Sequence, residues 1–235
     1  MKTMLTRKII FTVSIILLAV VMLIFTGVVS VRLYVNQYIE DNYQRRVSVW
    51  QETAKNIPDD SIVFIGDSHT EYFALDEYFT GFPVINRGIY GDTTYGVLNR
   101  LEESVFNLNP SVIFLLIGVN DIKKTRDTNE KIAENIKEIT LQLRRTFPET
   151  KIYVQSLYPV NQRPFDTYKI SGKRISEINV LLQSFCLNED ITYIDMLSHL
   201  IDETGQLQEE FTIEGLHLNS IGYRFVSEIL HQYIN

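Results

Sequence analysis

An uninterrupted apolar stretch near the N-terminus is the first pattern along the chain. Residues 9–31 carry no charged side chain and are rich in Ile, Leu, Val and Phe. Roughly 20 such residues span a bilayer as a helix, whereas a signal peptide has an apolar core of about 7–15 residues and then a small-residue cleavage site. Val28 and Ser30 make a poor cleavage site. The pattern therefore predicts an uncleaved transmembrane anchor over residues 1–31, in preference to a signal peptide that is removed.

The charges on either side of this stretch predict its orientation. Lys2, Arg7 and Lys8 precede it, and Glu40 and Asp41 lie beyond it. The cytoplasmic flanks of membrane helices carry an excess of Lys and Arg. We therefore expect a single-pass protein of the cell membrane, with a cytoplasmic N-terminus and an extracellular main domain.

Residues 32–57 show the spacing of a helix. Apolar side chains recur every three or four residues, at Val35, Ile39, Tyr43, Val47, Trp50 and Ala54. Pro58 then interrupts the pattern. This segment is expected to be a helical stalk or packing helix that precedes a domain over residues 58–235.

Short β-rich runs alternate with helical patterns in the remainder of the chain. Five runs predict strands: Ser61–Ile65, Pro83–Asn86, Ser111–Ile117, Lys151–Leu157 and Ile191–Ile194. Four stretches predict helices: Thr94–Leu108, Asn129–Thr146, Lys169–Asn188 and Ser220–Ile234. Strands separated by helices pair in parallel through right-handed crossovers. The prediction is a three-layer α/β/α domain with a five-stranded parallel sheet.

The net charge and the number of cysteines exclude some classes of function and some kinds of site. Three of the 22 basic residues precede the apolar stretch, which leaves 19 against all 29 acidic residues and a formal charge of −10 for the rest of the chain. Nucleic acid is therefore not expected as a partner, because phosphate binding needs an excess of Lys and Arg. The single cysteine, Cys186, excludes an intramolecular disulfide and a cysteine-based zinc site, and we expect it to be buried.

Polar and glycine-rich clusters follow the predicted strands. They are Gly66–His69, Asn86–Thr93, Gly118–Asp121 and, before the last helix, Glu214–Asn219. Ligands of open α/β sheets bind beyond the carboxyl ends of the strands. Four clusters in such positions indicate a functional site more specifically than any one of them alone.

These clusters contain the groups that acyl transfer needs. Ser68 lies on a predicted strand-to-helix turn and is the candidate nucleophile, although a serine there is also a common helix cap. His217 is the candidate base, with a solvated loop histidine as the alternative. Glu214, three residues upstream, is the candidate group that orients His217. His199 and His231 are expected at the surface, and His69 would have to fold back sharply to reach the Ser68 hydroxyl.

Three groups are candidates for an oxyanion hole. They are the backbone amides of Ser68 and Gly91 and the side chain of Asn120. Asn120 in an Asx turn and Gly91 as a residue with positive φ are the structural alternatives.

The blocks Gly66-Asp67-Ser68, Gly91, Gly118-Val119-Asn120-Asp121 and His217 resemble the SGNH, or GDSL-type, hydrolase family, over about residues 61–235. Asn86-Arg87-Gly88 and Gly91-Asp92-Thr93 are similar to its platelet-activating-factor acetylhydrolase-like branch. The resemblance implies a flavodoxin-like sheet and an esterase, lipase or deacetylase activity without a metal or other cofactor. It assigns Ser68 as nucleophile, His217 as base, and Gly91 and Asn120 as oxyanion donors.

Two positions depart from the pattern of that family. His69 stands where the residue after the nucleophile is usually apolar, and we expect it to line the substrate site. Glu214 stands where the family has an aspartate, so either the loop adjusts to the longer side chain or a backbone carbonyl orients His217.

The leading hypothesis is a membrane-anchored, outward-facing serine esterase that cleaves a small acyl ester, such as an O-acetyl group on a cell-surface glycan. The alternatives are an O-acyltransferase that uses the same triad and a catalytically silent binding module. The oligomeric state is left open. The loops expected to line the site, residues 70–82, 122–128 and 159–168, have no decisive signature. Five aromatic residues suggest a wall of the site, with core packing as the alternative: Tyr72, Phe73, Tyr78, Phe79 and Tyr90.

Overall fold

The computed structural model describes residues 2–162 and 169–234, with side chains described from residue 11 onward. It consists of two compact units, residues 1–48 and 49–235. Helix α1 (Lys2–Thr53) forms the first unit, and its last turn belongs to the second. A 3₁₀ turn over Ala54–Asn56 follows.

Helix α1 contains the predicted apolar stretch. Its most apolar 18-residue window has a mean hydropathy of 2.8 and no buried residue. Among the described residues this is the one helix long and apolar enough to cross a membrane. The helix continues without a break through most of the segment predicted as a stalk.

The second unit is built on a five-stranded sheet. Its strands are β1 (Ser61–Gly66), β2 (Val84–Gly88), β3 (Pro110–Leu116), β4 (Lys151–Gln155) and β5 (Thr192–Ile194). Their order is β2-β1-β3-β4-β5, and every pair is parallel. β1 is buried along its whole length, as expected for a strand covered on both faces. The three-layer α/β/α prediction is confirmed.

Helices cover the sheet and connect its strands. In chain order they are α2 (Ser68–Glu71), α3 (Leu75–Tyr78), α4 (Thr94–Leu101), α5 (Asp121–Lys124), α6 (Asn129–Thr146), α7 (Gly172–Asn188), α8 (Met196–Leu200) and α9 (Ser220–Leu230). The last turns of two predicted helices differ from α-geometry. A π-turn over Glu102–Phe106 follows α4, and a 3₁₀ turn over His231–Tyr233 follows α9.

Helix α7 begins three residues later than predicted. Lys169 has a positive φ of 51°, and the Ser171 side chain caps the helix by accepting from the Arg174 amide. Such a cap fixes the first turn of a helix. Cys186 in α7 is buried, as expected, and burial raises the pKa of its thiol to about 12.

Candidate active site

The turn after β1 positions Ser68 at the carboxyl end of the central strands. Gly66 ends β1, and a Cβ there would collide with the Leu116 carbonyl oxygen of the neighbouring strand. Asp67 then caps α2, because its carboxylate accepts from the His69 amide at 3.0 Å. Ser68 is the first residue of α2 and is 3% exposed. The close approach of two strands thus requires glycine immediately before the turn.

The loop before α9 brings His217 to this turn. The Ser68 hydroxyl lies 2.9 Å from Nε2 of His217. Nδ1 of the same ring lies 2.5 Å from Oε1 of Glu214, which also accepts from the His217 amide at 3.0 Å. Ser68, His217 and Glu214 therefore form one hydrogen-bonded series. The group that contacts Nδ1 of His217 is therefore the Glu214 carboxylate and not a backbone carbonyl.

Backbone contacts hold this loop in shape. The Thr212 hydroxyl donates to the His217 carbonyl at 2.8 Å and accepts from the Gly215 amide at 2.9 Å. Gly215 has a φ of +95°, and its carbonyl accepts from the Asn161 amide at 2.7 Å. A side chain at Gly215 would be strained and would meet the Asn161 carbonyl. The loop thus accommodates the longer glutamate side chain in a fixed turn.

The three residues expected to supply oxyanion donors border one small cavity. Ser68, Gly91, Asn120 and His217 line a space of about 110 Å³, together with Lys124 and Ile170. Gly91 has a φ of +72°, and its carbonyl accepts from the Lys124 ammonium. Residues 163–168 of the third expected loop lie outside the described residues.

Asn120 reaches across the sheet instead of capping its own helix. It precedes α5 but makes no side-chain cap. Its Nδ2 donates to the Asp92 carbonyl at 3.0 Å and lies 3.4 Å from Oδ2 of Asp67. The Asx-turn alternative therefore does not describe this residue.

His69 is the largest departure from the expected site. It was expected to line the substrate cavity, but the residue is 3% exposed and is not among those that line the cavity beside Ser68. Nδ1 lies 3.2 Å from Oδ1 of Asp67, and Nε2 lies 3.1 Å from the Leu216 carbonyl oxygen. The ring turns away from the cavity because both of its nitrogens find partners in the interior.

The other two histidines, His199 and His231, differ in exposure. His199 is exposed, as expected. His231 is only partly exposed: its ring packs on Phe79 at 4.7 Å between centroids, and its Nε2 lies 3.1 Å from the Tyr78 carbonyl. These contacts cover part of the ring and leave the remainder accessible to solvent.

Two of the five aromatic residues expected to form a wall of the site, Tyr72 and Tyr90, lie beside His217. Phe73 and Phe79 belong to the core, at 5% and 0% exposure, and the Tyr78 hydroxyl donates to the Ser220 carbonyl. Tyr72 and Tyr90 are 49% and 41% exposed. Their ring centroids lie 5.2 and 6.4 Å from that of His217. These two rings form an open aromatic surface beside the candidate base.

A buried ion pair supports the loop that carries Gly91. Asp92 Oδ2 accepts from Arg100 Nε at 2.8 Å, and Arg100 Nη2 donates to the carbonyls of Gly66 and Arg87. The Trp50 ring covers both guanidinium groups, at 4.9 Å from that of Arg87 and 5.3 Å from that of Arg100. The sequence offers no local pattern that joins residues so far apart in the chain.

Burial and neighbouring charges set the protonation of the site. Burial and the nearby His69 lower the pKa of His217, and Glu214 opposes them. Burial also raises the pKa of Asp121 to about 6, although its carboxylate accepts from the amide and the hydroxyl of Thr94. A lowered pKa keeps the His217 imidazole neutral at neutral pH, as a proton acceptor must be. Among the described residues, no group of three or more His, Cys, Asp or Glu side chains is arranged to hold a metal ion.

Comparisons with known proteins agree with this geometry. The model of the GDSL-like lipase/acylhydrolase family matches residues 64–225. Platelet-activating factor acetylhydrolase IB subunit alpha2 of Rattus norvegicus is 28% identical over 178 residues, which are 74% of this chain and 75% of the relative.

Solved structures share the fold. A protein of Streptococcus pneumonia described as a platelet activating factor superposes with a TM-score of 0.80 at 30% identity, over 86% of this chain and 96% of that one. An acetyl xylan esterase has a TM-score of 0.62 at 20% identity, over 74% of this chain and 100% of its own, and this likeness concerns the fold. The family match covers most of the chain and includes the Ser68 turn and the His217 loop. The chain belongs to the GDSL-like lipase/acylhydrolase family and is a carboxylic ester hydrolase.

Proposed function

We propose that this chain is a membrane-anchored, outward-facing serine esterase that removes a small acyl group from a cell-surface glycan. The observation that carries the proposal is the series Ser68–His217–Glu214, with Nε2 of His217 at 2.9 Å from the Ser68 hydroxyl. A hydroxyl is a weak nucleophile until a base within hydrogen-bond reach accepts its proton.

The reaction passes through an acyl-serine. His217 Nε2 takes the Ser68 proton while Oγ attacks the ester carbonyl carbon, and the carbonyl oxygen becomes an oxyanion. The Ser68 and Gly91 amides and the Asn120 side chain donate to that oxygen. His217 then gives its proton to the leaving alcohol, and the acyl group stays on Oγ. A water molecule, deprotonated by His217, attacks the acyl-serine, releases the acid and restores the hydroxyl.

Glu214 orients the base during both steps. Its carboxylate faces Nδ1 of His217, so Nδ1 keeps its proton and Nε2 is left free to accept one. The same carboxylate stabilises the imidazolium that forms after proton transfer. Glutamate thus takes the role that the family resemblance gave to an aspartate.

The size of the cavity favours a short acyl group. A space of about 110 Å³ is well below the roughly 300–1,000 Å³ of pockets for drug-sized ligands. An acetyl group is of matching size. The curated relatives named as acetylhydrolases are consistent with this choice.

The surroundings of His217 favour a sugar as the alcohol. The base protonates the leaving oxygen, so the alcohol lies on its side of the site. Tyr72 and Tyr90 present partly exposed rings there. Aromatic rings with a polar edge suit ligands that are both apolar and hydrogen-bonding, and the two faces of a pyranose ring have this character.

The charge pattern supports an outward-facing domain. The basic residues lie on the N-terminal side of the apolar helix, and positive flanks remain in the cytoplasm. Protease added to intact cells is expected to release the domain as a soluble fragment. Protection of the domain until the cells are lysed would contradict this orientation.

The proposal is tested with the detergent-solubilised full chain and 4-nitrophenyl esters of increasing chain length. We expect acetyl and propionyl esters to be cleaved fastest and octanoyl esters to be cleaved poorly. Activity that rises with chain length would contradict the small acyl group. Product analysis with a sugar acceptor distinguishes free acid, expected from an esterase, from an acylated sugar, expected from an O-acyltransferase.

The aromatic surface has its own test. Tyr72→Ala and Tyr90→Ala should raise KM for an acetylated oligosaccharide and leave KM for 4-nitrophenyl acetate nearly unchanged. Tyr95→Ala is the matched control, since Tyr95 is 40% exposed and lines a separate groove with α6. Equal effects of all three substitutions would contradict a sugar-binding role.

A further inference from the structure

The ring of His69 lies between two hydrogen-bond acceptors. Oδ1 of Asp67 faces its Nδ1 at 3.2 Å, and the Leu216 carbonyl oxygen faces its Nε2 at 3.1 Å. The ring is 3% exposed and its Asp67 partner 1%. Both contacts are therefore inside the protein, where a polar group without a partner is costly.

These two partners determine the protonation of the ring. A neutral imidazole has one nitrogen that donates and one that accepts. The Leu216 carbonyl can only accept, and Oδ1 of Asp67 already accepts from the His69 amide at 3.0 Å. Both ring nitrogens are satisfied only when both carry a proton, which makes His69 an imidazolium paired with the Asp67 carboxylate.

The partners are also the chain neighbours of the two reacting residues. Asp67 immediately precedes Ser68, and Leu216 immediately precedes His217. The His69 ring thus bridges the two segments whose separation sets the distance from Nε2 of His217 to the Ser68 hydroxyl. In addition, the Tyr223 hydroxyl donates to the His69 carbonyl at 2.9 Å and fixes this residue against α9.

We propose that His69 is a positioning residue, held as an imidazolium across the working pH range, that clamps the His217 loop to the Ser68 turn and keeps His217 neutral. The proposal rests on the proposed roles of Ser68 and His217. It assigns to His69 a role in placing the base and in setting its charge, and no contact with the substrate.

The charges around both rings are consistent with this role. His69 is faced by Asp67 from its own turn, by Glu214 and His217 from the loop before α9, by Tyr158 after β4, at 5.3 Å between centroids, and by Tyr223 from α9. Burial lowers the pKa of His69, but the hydrogen bond and charge of Asp67 and the Leu216 carbonyl outweigh burial, so the pKa is raised.

His217 experiences the opposite balance. It is faced by His69 and Asp67, by Glu214 on its own loop, by Tyr72 and Tyr90, and by Lys123 and Lys124 across the cavity. Burial and the His69 charge lower the pKa of His217 and outweigh Glu214. Removing the His69 charge is therefore expected to raise the pKa of His217.

Two neutral substitutions separate the clamp from the charge. In His69→Gln the amide nitrogen reaches the position of Nε2 and still donates to Leu216. In His69→Asn it reaches the position of Nδ1, so the bond to Asp67 remains and the tie to Leu216 is lost. Both should move the acidic limb of kcat/KM to higher pH. His69→Asn should also lower kcat by about 10²-fold, the effect of an error of about 1 Å in placing a catalytic group.

The charge itself is measured on the wild-type chain. Nitrogen NMR of the ¹⁵N-histidine-labelled full chain in detergent, assigned by comparison with His69→Gln, should show protons on both His69 ring nitrogens at pH 8. An ordinary histidine, with a pKa of about 6.5, is neutral there. A His69 ring with one unprotonated nitrogen, or an unchanged acidic limb in both variants, would overturn the proposal.

The same experiments distinguish this proposal from the proposed function. The protonation of His69 is observed without any substrate, so it stands or falls independently of ester hydrolysis. Absence of ester hydrolysis with a doubly protonated His69 ring would reject the esterase, and with it the positioning role, while leaving the buried imidazolium established.

Discussion

Two histidine–carboxylate pairs lie side by side at the carboxyl ends of the central strands. In each pair Nδ1 faces a carboxylate, at 3.2 Å for His69 with Asp67 and at 2.5 Å for His217 with Glu214. The ring centroids are 5.7 Å apart. The pairs differ at Nε2, which faces the Leu216 carbonyl in His69 and the Ser68 hydroxyl in His217.

This difference separates the pair to which we assign a structural role, His69 with Asp67, from the pair proposed to be reactive, His217 with Glu214. A carbonyl only accepts, so it demands a proton on the nitrogen that faces it, whereas a hydroxyl can donate to a nitrogen that carries none. Burial acts on both rings, but it is outweighed for His69 and prevails for His217. In the proposed roles, the partner of Nε2 therefore makes His69 a fixed cation and His217 a base.

The largest expected effect comes from removing the hydroxyl that defines the reactive pair. Ser68→Ala should leave the protein folded and reduce turnover by on the order of 10⁶, because a triad nucleophile has no substitute. Labelling by a fluorophosphonate should disappear with it. Ser184→Ala is the control, because Ser184 is exposed on α7. Labelling that persists in Ser68→Ala would place the chemistry on another residue.

Removing the carboxylate of the reactive pair should come next. Glu214→Gln is expected to reduce kcat by about 10⁴, because an amide favours the wrong tautomer and does not stabilise the imidazolium. Glu214 raises the pKa of His217, so the acidic limb of kcat/KM should move to lower pH, opposite to the shift expected for His69→Gln. The pH–rate profiles of both variants measure this.

Two further changes at the loop sharpen this result. Glu209→Gln is an exposed control in the same region and should have little effect. Glu214→Asp should reduce activity, since the turn fits the longer side chain. If Glu214→Gln keeps near-normal turnover and an unchanged acidic limb of kcat/KM, Glu214 takes no part in catalysis. The catalytic residues are then a Ser68–His217 dyad.

A smaller effect is expected on the oxyanion side of the reactive pair. Asn120→Ala should reduce kcat by about 10²–10³, because the Ser68 and Gly91 amides still donate to the oxyanion. KM for 4-nitrophenyl acetate should change little. Asn188→Ala, at the exposed end of α7, is the control. A higher KM with an unchanged kcat would mean that Asn120 binds the substrate without stabilising the transition state.

The smallest effect concerns Asp121, a buried carboxyl whose hydrogen-bond partner is Thr94 and not a histidine. Burial raises the pKa of Asp121 to about 6, above the value of about 3.9 in an unfolded chain. The folded state therefore binds the proton of the Asp121 carboxyl more tightly than the unfolded state does. The contribution of this proton to the free energy of unfolding is fully present below about pH 4 and is lost as the pH rises through about 6. The loss is about 2–3 kcal/mol.

Asp121→Asn should remove that part of the pH dependence. Chemical unfolding of the full chain at pH 4 and pH 7 measures it, with the exposed Asp76→Asn as control. If the free energy of unfolding changes equally between pH 4 and pH 7 in wild type and in Asp121→Asn, Asp121 is not the source of the pH dependence.

The sequence predicted the parts that depend on local pattern. The strands were found because their apolar runs are long and bounded by turn residues, and the GDSL-like motif placed Ser68 on the turn after β1. Glu214 lies three residues before His217, so a single turn determines their contact. These features depend on residues close together in the chain.

The remaining features depend on contacts between distant residues. Leu216 is 147 positions from His69, and nothing near His69 indicates whether its ring points to the cavity or to the interior. Arg100 and Trp50 are likewise joined only in the folded chain. Helices α2 and α5 have four residues each, too few for a hydrophobic period to show.

The contact of Trp50 with two arginines limits how this enzyme can be shortened. Trp50 is 6% exposed and covers the guanidinium groups of Arg87 and Arg100, which hold the loop with Asp92. Yet Trp50 lies on the helix that continues from the apolar segment, outside the stretch matched by the family model. A soluble form designed from the family boundaries alone would lose this indole and leave two buried cations open to water. Any truncation that is meant to preserve activity should therefore begin before Trp50.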